Sequence, residues 1–412
     1  MYGLIGKKLG HSFSPQIHKQ FADYDYRLFE MDENDVGDFL KKADFEGINV
    51  TIPYKKTVIP YLDELSDCAK KIGSVNTVKK RADNTLYGDN TDYFGFRYTL
   101  ESKNISPCGK KCIILGSGGA SLTAKAVLSD MNAKSITVIS RSGENNYSNI
   151  SKHFDAEIII NTTPVGMYPD CGVSPIRLSE FKRCEFVFDL IYNPSKTVLL
   201  LEAEKCGISY ANGLTMLVAQ AKKACEIFTE KKIGNKKIDS VANNISMQML
   251  NIVLVGMPGC GKSTLGKLLA EKLGKTFIDS DIEIVNRCKE SIPDIFSSKG
   301  ELFFREIEES VINDCGKQSS AVIATGGGTV LFQTNIDSLR QNGIIIFINR
   351  DINELARDGR PLSSSTENLK KLYDARLPLY RKCADIEIKA DASPSVLADR
   401  IINVLNARKE NI

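Results

Sequence analysis

Two short apolar runs in this chain are each followed at once by a glycine-rich loop and then by a stretch with helical spacing. The first run, residues 111–115, enters the loop 116–120, and the second, residues 251–255, enters the loop 256–264. A strand, a glycine loop and a helix in this order bind phosphate groups, because glycine lets backbone N–H groups approach and the helix N-terminus adds partial positive charge. The sequence therefore predicts two nucleotide-binding units in an α/β fold.

The length and charge of the chain are consistent with several such units. At roughly 150 residues per domain, the 412 residues predict two or three domains. Apolar β-rich runs alternate with amphipathic stretches almost throughout, which is typical of α/β folds with parallel sheets. The 54 Lys and Arg residues nearly balance the 51 Asp and Glu residues. We therefore expect no bulk attraction to nucleic acid or to a membrane, and anionic ligands must be bound by local cations.

Cysteine and histidine usage argues against a metal centre or a disulfide framework. The 11 cysteines form no C-x-x-C pair, and the chain has only three histidines. The longest apolar runs, such as residues 344–348, are far shorter than the ~20 residues that span a bilayer, and residues 1–12 lack the apolar core of a signal peptide. We therefore expect a cytoplasmic protein with reduced thiols and no membrane anchor.

The second glycine loop matches G-x-x-x-x-G-K-[ST] over residues 256–263. In this motif the lysine, here Lys262, reaches the outer phosphates of a nucleoside triphosphate, and the hydroxyl of Ser263 can bind Mg²⁺. Further on, Asp279 and Asp281 stand at alternate positions after a strand, so that one carboxylate can face Mg²⁺ and the other an acceptor hydroxyl. A glycine triplet at residues 326–328 follows another strand and lets bare backbone approach a ligand.

These segments together resemble shikimate kinase. The matching motifs are G-x-x-G-x-G-K-S-T, D-S-D, F-R-E-x-E (304–308), G-G-G, R-P-L (360–362) and R-x-P-L-Y (376–380). The resemblance covers about residues 250–410 and implies a P-loop NTPase fold that transfers the γ-phosphoryl group of ATP to the 3-hydroxyl of shikimate. It also implies that Asp281 is the catalytic carboxylate, which helps to accept the proton of that hydroxyl.

The same resemblance assigns the other site residues of this half. It implies an ATP site formed by Gly259, Cys260, Gly261, Lys262, Ser263, Thr264, Arg357 and Arg360. It implies a shikimate site formed by Asp281, Arg305, Gly326, Gly327, Gly328 and Arg376, in which the arginines suit a carboxylate because a guanidinium can bind it bidentately. It implies that Ser263 and, through water, Asp279 hold Mg²⁺. Two residues separate Arg357 from Arg360, a shorter lid than many relatives carry.

Polar side chains also follow the predicted strands of the first half. They are Ser12, Ser14, Asn49, Thr51, Lys55, Asn76 and Asp92. The hydroxyls of Ser12 and Ser14 point the same way on an extended segment, because the two residues are two positions apart. Lys55 stands at a helix start, directly after a strand ended by Pro53.

Eight motifs of this half resemble shikimate dehydrogenase: S-x-S-P (12–15), N-V-T-x-P-x-K (49–55), S-V-N-T (74–77), G-x-N-T-D-x-x-G (88–95), G-x-G-G-A (116–120), N-T-T-P-V-G-M (161–167), D-L-I-Y-N-P (189–194) and G-L-x-M-L-x-x-Q-A (213–221). The resemblance implies NADPH-dependent reduction of the 3-keto group of 3-dehydroshikimate, with Lys55 and Asp92 as the catalytic pair. Which of the two transfers the proton stays open. The implied substrate site is Ser12, Ser14, Thr51, Lys55, Asn76, Asp92 and Gln220.

The implied cofactor site is Rossmann-like. It comprises Gly116, Gly118, Gly119, Ala120, Ser140, Arg141, Asn161, Thr162, Asp189, Gly213 and Met216. Ser140 and Arg141 suit the 2′-phosphate of NADP, whereas an acidic residue there would favour NAD. Glu144 is close by and leaves the cofactor preference open. Only 19 residues separate Arg141 from Asn161, so a helix and a strand are partly deleted, which suggests weak NADP affinity or dependence on packing against the kinase.

The sequence thus predicts a two-lobed dehydrogenase followed by a kinase. The predicted parts are a substrate-binding lobe at 1–103 and 213–238, an NADP-binding lobe at 104–212 shortened near 142–160, a linker at 239–248 and a kinase at 249–412. The function predicted for the whole is bifunctional, reducing 3-dehydroshikimate and then phosphorylating shikimate with ATP and Mg²⁺. Two alternatives stay open, a quinate/shikimate dehydrogenase of relaxed substrate or cofactor use and a non-catalytic shikimate-sensing regulator. The sequence predicts small-molecule partners and makes no prediction of the oligomeric state.

Overall fold

The computed structural model describes residues 1–10, 12–355 and 366–409, with the backbone alone at 366–368 and 409. The chain divides into two compact units. The first contains Met1–Gly166, Val173–Tyr192 and Glu202–Asn244, and the second contains Met167–Gly172, Asn193–Leu201 and the chain from Ile245 onwards. Three clusters of buried apolar side chains form the cores, one at each of three sheets.

The first sheet has six strands in the order β2-β1-β3-β5-β6-β4. The strands are β1 (Tyr2–Gly6), β2 (Tyr26–Glu30), β3 (Gly47–Val50), β4 (Glu64–Leu65), β5 (Thr77–Lys80) and β6 (Leu86–Asp89). The accompanying helices are α1 (Ser14–Phe21), α2 (Glu33–Lys42), α3 (Asp67–Ile72) and α4 (Thr91–Ser102). β5 runs antiparallel to both of its neighbours, unlike the other pairs of this sheet. A loop of five residues joins β5 to β6, and so short a connection can join antiparallel strands but not parallel ones.

The second sheet has five parallel strands in the order β11-β10-β9-β7-β8. The strands are β7 (Lys111–Leu115), β8 (Ser135–Ile139), β9 (Ile158–Asn161), β10 (Phe186–Asp189) and β11 (Ser209–Ala211), with helices α5 (Gly119–Asp130), α6 (Val198–Lys205) and α7 (Leu214–Thr229). Only the 3-10 helix Ile150–His153 lies between β8 and β9. The usual six-stranded order is 3-2-1-4-5-6, and the described chain has no strand at the position of strand 3, so β8 forms the edge.

The third sheet, in the second unit, has five parallel strands in the order β13-β14-β12-β15-β16. The strands are β12 (Asn251–Val255), β13 (Thr276–Asp279), β14 (Ala321–Ala324), β15 (Gly343–Asn349) and β16 (Ile386–Lys389). The helices are α9 (Lys262–Leu273), α10 (Ser280–Cys288), α11 (Ile292–Lys317), α12 (Gln333–Arg340), α13 (Thr366–Cys383) and α14 (Pro394–Lys409). The predicted α/β class with parallel sheets and a strand–loop–helix at each glycine loop is confirmed. No helix within the described ranges is both long enough and apolar enough to cross a bilayer.

Residues 239–248, predicted as a polar linker without periodicity, lie in the helix α8, Lys236–Met249. The expectation of a short, solvated joint was wrong, because one face of this helix is buried. Ile238, Val241, Ala242, Ile245 and Met249 are all buried, and their spacing of three or four residues is that of one helix face. The abundant Asn and Lys residues of this passage concealed the apolar stripe.

A lysine side chain caps the C-terminal end of α8. Nζ of Lys275 lies 2.8 Å from the carbonyl oxygens of both Gln248 and Leu250, and 3.3 Å from that of Met247. The last carbonyls of a helix lack intrahelical partners, so this ammonium group replaces water as their donor. Burial lowers the pKa of Lys275 to about 8.

Replacing Lys275 should therefore loosen the end of α8. Lys275→Met removes hydrogen bonds from a charged donor, worth about 1.5–3 kcal/mol, so the amides of residues 245–250 should exchange about ten- to a hundredfold faster. Hydrogen-exchange mass spectrometry of the full chain measures this directly. Lys267→Met, at an exposed position of α9, is the matched control. Equal exchange in both variants would contradict the capping role.

Candidate functional site

A cavity of about 400 Å³ in the first unit collects most of the predicted substrate residues of this half. Ser12, Ser14, Thr51, Lys55, Asn76 and Gln220 line it. It lies where β1 and β3 end and α1 and α7 begin to cover the sheet, the edge at which open α/β sheets bind ligands. The Oγ atoms of Ser12 and Ser14 are 3.1 Å apart, and the N–H of Ser14 donates to Ser12 at 3.2 Å. Two adjacent hydroxyl groups thus line one part of the cavity.

Lys55 and Asp92 form an ion pair at this cavity. Nζ of Lys55 lies 2.5 Å from Oδ2 of Asp92, and the other carboxylate oxygen accepts from Nδ2 of Asn76 at 2.9 Å. The same amide donates to Oε1 of Gln220 at 3.0 Å. The lysine side chain is 25% exposed and the aspartate 8%, so the ammonium group is the member of the pair that a ligand can reach. Asn76 also accepts from the N–H of Thr91 at 2.7 Å, which fixes the first turn of α4 and with it Asp92.

Four further polar or ionisable side chains line this cavity, and the sequence did not assign them to it: Lys8, His18, Asn49 and Tyr192. Two of them were within reach of sequence reasoning. His18 stands four residues after Ser14 and therefore on the same helix face, and Tyr192 lies in the D-L-I-Y-N-P motif. Tyr192 is half-buried, with its ring edge against Phe13 at a centroid distance of 6.2 Å.

A buried network lies behind the cavity. The hydroxyl of Tyr26 donates to Oδ1 of Asn49 at 2.8 Å, and Nδ2 of Asn49 lies 3.1 Å from Oγ1 of Thr77. His18 stacks on Tyr26 at a centroid distance of 4.0 Å, and its Nδ1 lies 2.7 Å from the hydroxyl of Tyr24. Burial lowers the pKa of His18 to about 3, against the raising effect of a hydrogen bond with Asn49. The imidazole is therefore neutral at physiological pH.

The first glycine loop begins with a residue that only glycine can occupy without strain. Gly116 has a φ of 101°, and a Cβ atom there would lie 2.9 Å from Oγ1 of Thr162. Thr162 in turn donates to the carbonyl of Leu115 at 2.7 Å. Gly118, Gly119 and Ala120 form the start of α5, and Ser140 and Arg141 follow β8 directly. Backbone N–H groups and one exposed guanidinium group are thus available for a dinucleotide phosphate.

Four other predicted cofactor residues make contacts within the protein. Nδ2 of Asn161 donates to Oδ1 of Asp189 at 3.0 Å, and both side chains are fully buried. A Cβ atom on Gly213 would overlap the carbonyl of Leu190, and one on Gly95 would lie 2.6 Å from the carbonyl of Met216. These contacts hold β9, β10, α4 and α7 together. Asn161, Asp189, Gly213 and Met216 therefore shape this lobe, and direct contact with NADP stays a prediction.

The second glycine loop joins β12 to α9. Gly259 and Gly261 have φ values of 85° and 96°, which turn the backbone around the loop. Nζ of the buried Lys262 donates to the carbonyls of Gly256 and Met257 at 2.9 and 3.0 Å. The hydroxyl of Ser263 donates to Oδ2 of Asp279 at 2.6 Å, and Oδ1 of Asp279 caps α10 by accepting from the N–H of Asp281 at 3.0 Å. A hydroxyl and a carboxylate this close are hard oxygen ligands that fit Mg²⁺.

The glycine triplet allows three other groups to lie close together. A Cβ atom on Gly326 would lie 2.7 Å from Oδ1 of Asp281, and one on Gly327 would lie 2.6 Å from the ring of Pro258 in the phosphate-binding loop. A Cβ atom on Gly328 would overlap the guanidinium group of Arg305. All three glycines are therefore required by the close approach of neighbouring side chains, not by backbone torsion.

Two arginines lie at this triplet. Nη1 of Arg305 donates to Oε2 of Glu308 at 2.8 Å, and Nη1 of Arg376 donates to the carbonyl of Gly327 at 3.0 Å. Burial would lower the pKa of Arg305, but the carboxylates of Glu308 and Glu301 raise it overall. The hydroxyl of Tyr380 donates to the carbonyl of Gly327 at 2.6 Å. The sequence had not assigned Tyr380 or Glu308 to the site, although they lie in the R-x-P-L-Y and F-R-E-x-E motifs.

A cavity of about 470 Å³ joins the phosphate-binding loop to the triplet. It is lined by Gly259, Gly261, Lys262, Ser263, Thr264, Asp279, Asp281, Arg305, Gly326, Gly327, Gly328 and Arg376, among others. Cys260, also predicted for the ATP site, is buried in the loop. The two remaining predicted ATP residues, Arg357 and Arg360, lie outside the described residues.

Two protein-family models match the chain, one in each half. Residues 4–78 match the shikimate dehydrogenase substrate binding domain. Residues 258–406 match shikimate kinase. The second range contains every polar group that lines the cavity of the second unit.

Individual relatives match the first half over nearly their whole length. The NADP(+) shikimate dehydrogenase of Clostridium beijerinckii is 40% identical over 255 residues, which are 57% of this chain and 94% of that protein. The structure of a chorismate mutase/shikimate 5-dehydrogenase fusion protein from Clostridium acetobutylicum is 37% identical with a TM-score of 0.58, covering 60% of this chain and 97% of that one. A Thermus thermophilus shikimate 5-dehydrogenase in complex with NADP(H) and shikimate is 26% identical with a TM-score of 0.54, covering 59% and 98%.

The buried neutral His18 predicts a pH dependence of stability. Its pKa is about 3 in the folded chain, against about 6.5 when unfolded, so below pH 6.5 the unfolded state binds a proton that the folded state does not. Stability should fall as the pH drops, by about 2 kcal/mol between pH 7 and pH 5. Urea unfolding followed by far-UV circular dichroism at both pH values measures the loss. His18→Asn should reduce that difference by the same amount and His153→Gln should not, whereas an unchanged difference in His18→Asn would refute the assignment.

Proposed function

Because the chain belongs to the shikimate dehydrogenase family and carries a shikimate kinase domain after it, we propose that it catalyses two consecutive steps. The first is NADPH-dependent reduction of 3-dehydroshikimate to shikimate. The second is phosphorylation of the shikimate 3-hydroxyl by ATP with Mg²⁺, giving shikimate 3-phosphate. The observation that carries this proposal is that one chain holds both an ammonium–carboxylate pair in a hydroxyl-lined cavity and a phosphate-binding lysine in a cavity with two arginines.

In the first cavity Lys55 faces the ketone oxygen. NADPH supplies the hydride that adds to the carbonyl carbon, and a proton must reach the oxygen that develops negative charge. The ammonium group of Lys55 is the donor in reach of the ligand, and Asp92 holds it in position. The amides of Asn76 and Gln220 and the hydroxyl of Thr51 bind the ring hydroxyls, while Ser12 and Ser14 donate to the substrate carboxylate.

The cofactor proposed for this step is NADP rather than NAD. Ser140 and Arg141 directly follow β8, where the adenosine ribose binds in Rossmann-like lobes, and Arg141 is exposed. A guanidinium group can hold a 2′-phosphate bidentately. The backbone at Gly118, Gly119 and Ala120 receives the pyrophosphate at the N-terminus of α5.

In the second cavity catalysis is mainly positioning and charge stabilisation. Asp281 accepts the proton of the attacking hydroxyl, and Arg305 and Arg376 hold the substrate carboxylate. Lys262 places a cation beside the outer phosphates of ATP. Ser263 and Asp279 would hold Mg²⁺, which neutralises phosphate charge when bound.

The two alternatives are less well supported by the same residues. A shikimate sensor needs neither a catalytic ammonium–carboxylate pair nor a hydroxyl and a carboxylate placed for Mg²⁺, yet Lys55 with Asp92 and Ser263 with Asp279 are all present. A quinate/shikimate dehydrogenase of relaxed use differs in substrate and cofactor range, and comparing quinate with shikimate and NAD with NADP tests it. The cytoplasmic location stays a prediction.

The decisive experiment follows both steps in the intact chain. We expect 3-dehydroshikimate, NADPH, ATP and Mg²⁺ to give oxidised NADPH by absorbance and shikimate 3-phosphate by mass spectrometry. Lys55→Ala should lower kcat of the reduction by about 10²–10⁴-fold and leave phosphorylation of added shikimate unchanged, because the general acid is lost. Lys262→Ala should lower kcat of phosphorylation by about 10²-fold or more and spare the reduction.

Two exposed lysines provide matched controls for that experiment. Lys56→Ala stands beside Lys55, and Lys267→Ala lies on the same helix as Lys262; both should leave both rates unchanged. Reduction of 3-dehydroshikimate without a phosphorylated product would refute the kinase step. Loss of both activities in either folded variant would refute two independent sites.

The cofactor preference gives a separate prediction. Arg141→Ala should raise KM for NADPH about tenfold and leave KM for NADH unchanged, because a charge-assisted hydrogen bond to the 2′-phosphate is worth about 1.5 kcal/mol or more. Initial-rate kinetics with each cofactor measure both constants. Lys134→Ala, an exposed lysine just before the opposite end of β8, is the control. An equal increase for both cofactors would contradict 2′-phosphate recognition by Arg141.

A further inference from the structure

Arg305 is held by two carboxylates that differ in their exposure to solvent. Nη1 donates to Glu308 at 2.8 Å, and the side chain of Glu308 is 1% exposed. Nε and Nη2 donate to one oxygen of Glu301, at 3.2 and 2.9 Å, and the side chain of Glu301 is 53% exposed. Spacings of three and four residues place all three side chains on one face of α11.

Glu308, the buried partner of Arg305, is held by a second hydrogen bond, whereas Glu301, the exposed partner, faces water. Oε1 of Glu308 also accepts from the hydroxyl of Thr329 at 3.0 Å, and both of these residues are fully buried. Glu301 directly follows Gly300, whose φ of 82° interrupts α11, and its carboxylate faces water on one side. Because the carboxylate of Glu301 is half-exposed, water can solvate it when it leaves Arg305, so its loss costs less than the loss of the buried Glu308. Glu301 can therefore leave Arg305 at small cost, whereas Glu308 cannot.

The edge of Arg305 occupied by Glu301 is one that a ligand carboxylate can use. Nε and Nη2 form one of the paired donor edges with which a guanidinium group binds a carboxylate bidentately. The third nitrogen of the guanidinium group, Nη1, lies against Gly328 and donates to Glu308. A substrate carboxylate that binds Arg305 with two hydrogen bonds at the Nε and Nη2 edge must therefore displace Glu301.

We propose that Glu301 is an internal substitute for the acceptor's carboxylate, which holds Arg305 in the empty site and is displaced when the acceptor binds. This inference depends on the proposed kinase function, because it concerns the carboxylate of shikimate. Glu301 touches Arg305 and not the reacting atoms, so it is a positioning residue. Displacing Glu301 costs free energy and so offsets part of the binding free energy of shikimate. The presence of Glu301 should therefore raise KM for shikimate without changing kcat.

The test compares kinase kinetics of the intact chain with shikimate as the varied substrate. Glu301→Gln and Glu301→Ala should both lower KM for shikimate about two- to fivefold with kcat unchanged, the fold-change that a pair of this exposure supports. Glu309→Gln, an exposed position on the same helix, is the matched control and should leave both constants unchanged.

Ionic strength provides a second readout that a purely structural role would not move. In the wild-type chain one carboxylate replaces another on Arg305, so the contact with Arg305 should add little to the salt dependence of KM. In Glu301→Gln a new ion pair forms on binding, so KM should rise more steeply with salt. A KM that rises or stays the same in either variant, or an unchanged salt dependence, would overturn the inference. A wild-type chain that does not phosphorylate shikimate would instead refute the proposed kinase function.

Discussion

Parallel strands buried on both faces are the constraint on which both sites depend. β12 is buried at all five of its residues, and β9 and β10 at all four of theirs, so these strands contribute almost nothing but apolar side chains. Because parallel strands end at the same edge, the loops that follow them converge there. The phosphate-binding loop follows β12, Asp279 is the last residue of β13, and the glycine triplet follows β14. These are three neighbouring strands of the third sheet. The chemistry of the second unit is a consequence of that convergence.

Close approach at these edges depends on missing side chains. The triplet of Gly326, Gly327 and Gly328 makes room for a carboxylate, a proline ring and a guanidinium group in turn, and a Cβ atom on Gly327 would push against Pro258 of the phosphate-binding loop. Gly116 serves the first loop in a similar way, with a positive φ in addition. These glycines therefore determine how closely the phosphate-binding loop and the residues around the triplet can approach each other.

Much of this arrangement could be predicted from the sequence, because the local patterns and the fold agree. A strand, a glycine loop and a helix can be recognised from about twenty consecutive residues. The order of the motifs predicted that Ser12, Lys55 and Gln220 belong to one site, and all three line one cavity. Partner choice could not be predicted in this way. The pairing of Arg305 with Glu301, the Tyr26–Asn49 contact and the place of Tyr192 depend on how elements pack. α8 was missed because its apolar stripe is narrow and its remaining residues are polar.

The cations proposed to bind ligands already have partners inside the protein. Lys55 pairs with Asp92, Arg305 with two glutamates, and Lys262 with two loop carbonyls. A buried cation without a partner would cost several kcal/mol, so the fold supplies partners that keep each empty site stable. Ligand binding at such a site is an exchange of partners, and its affinity depends on how weakly the internal partner is held.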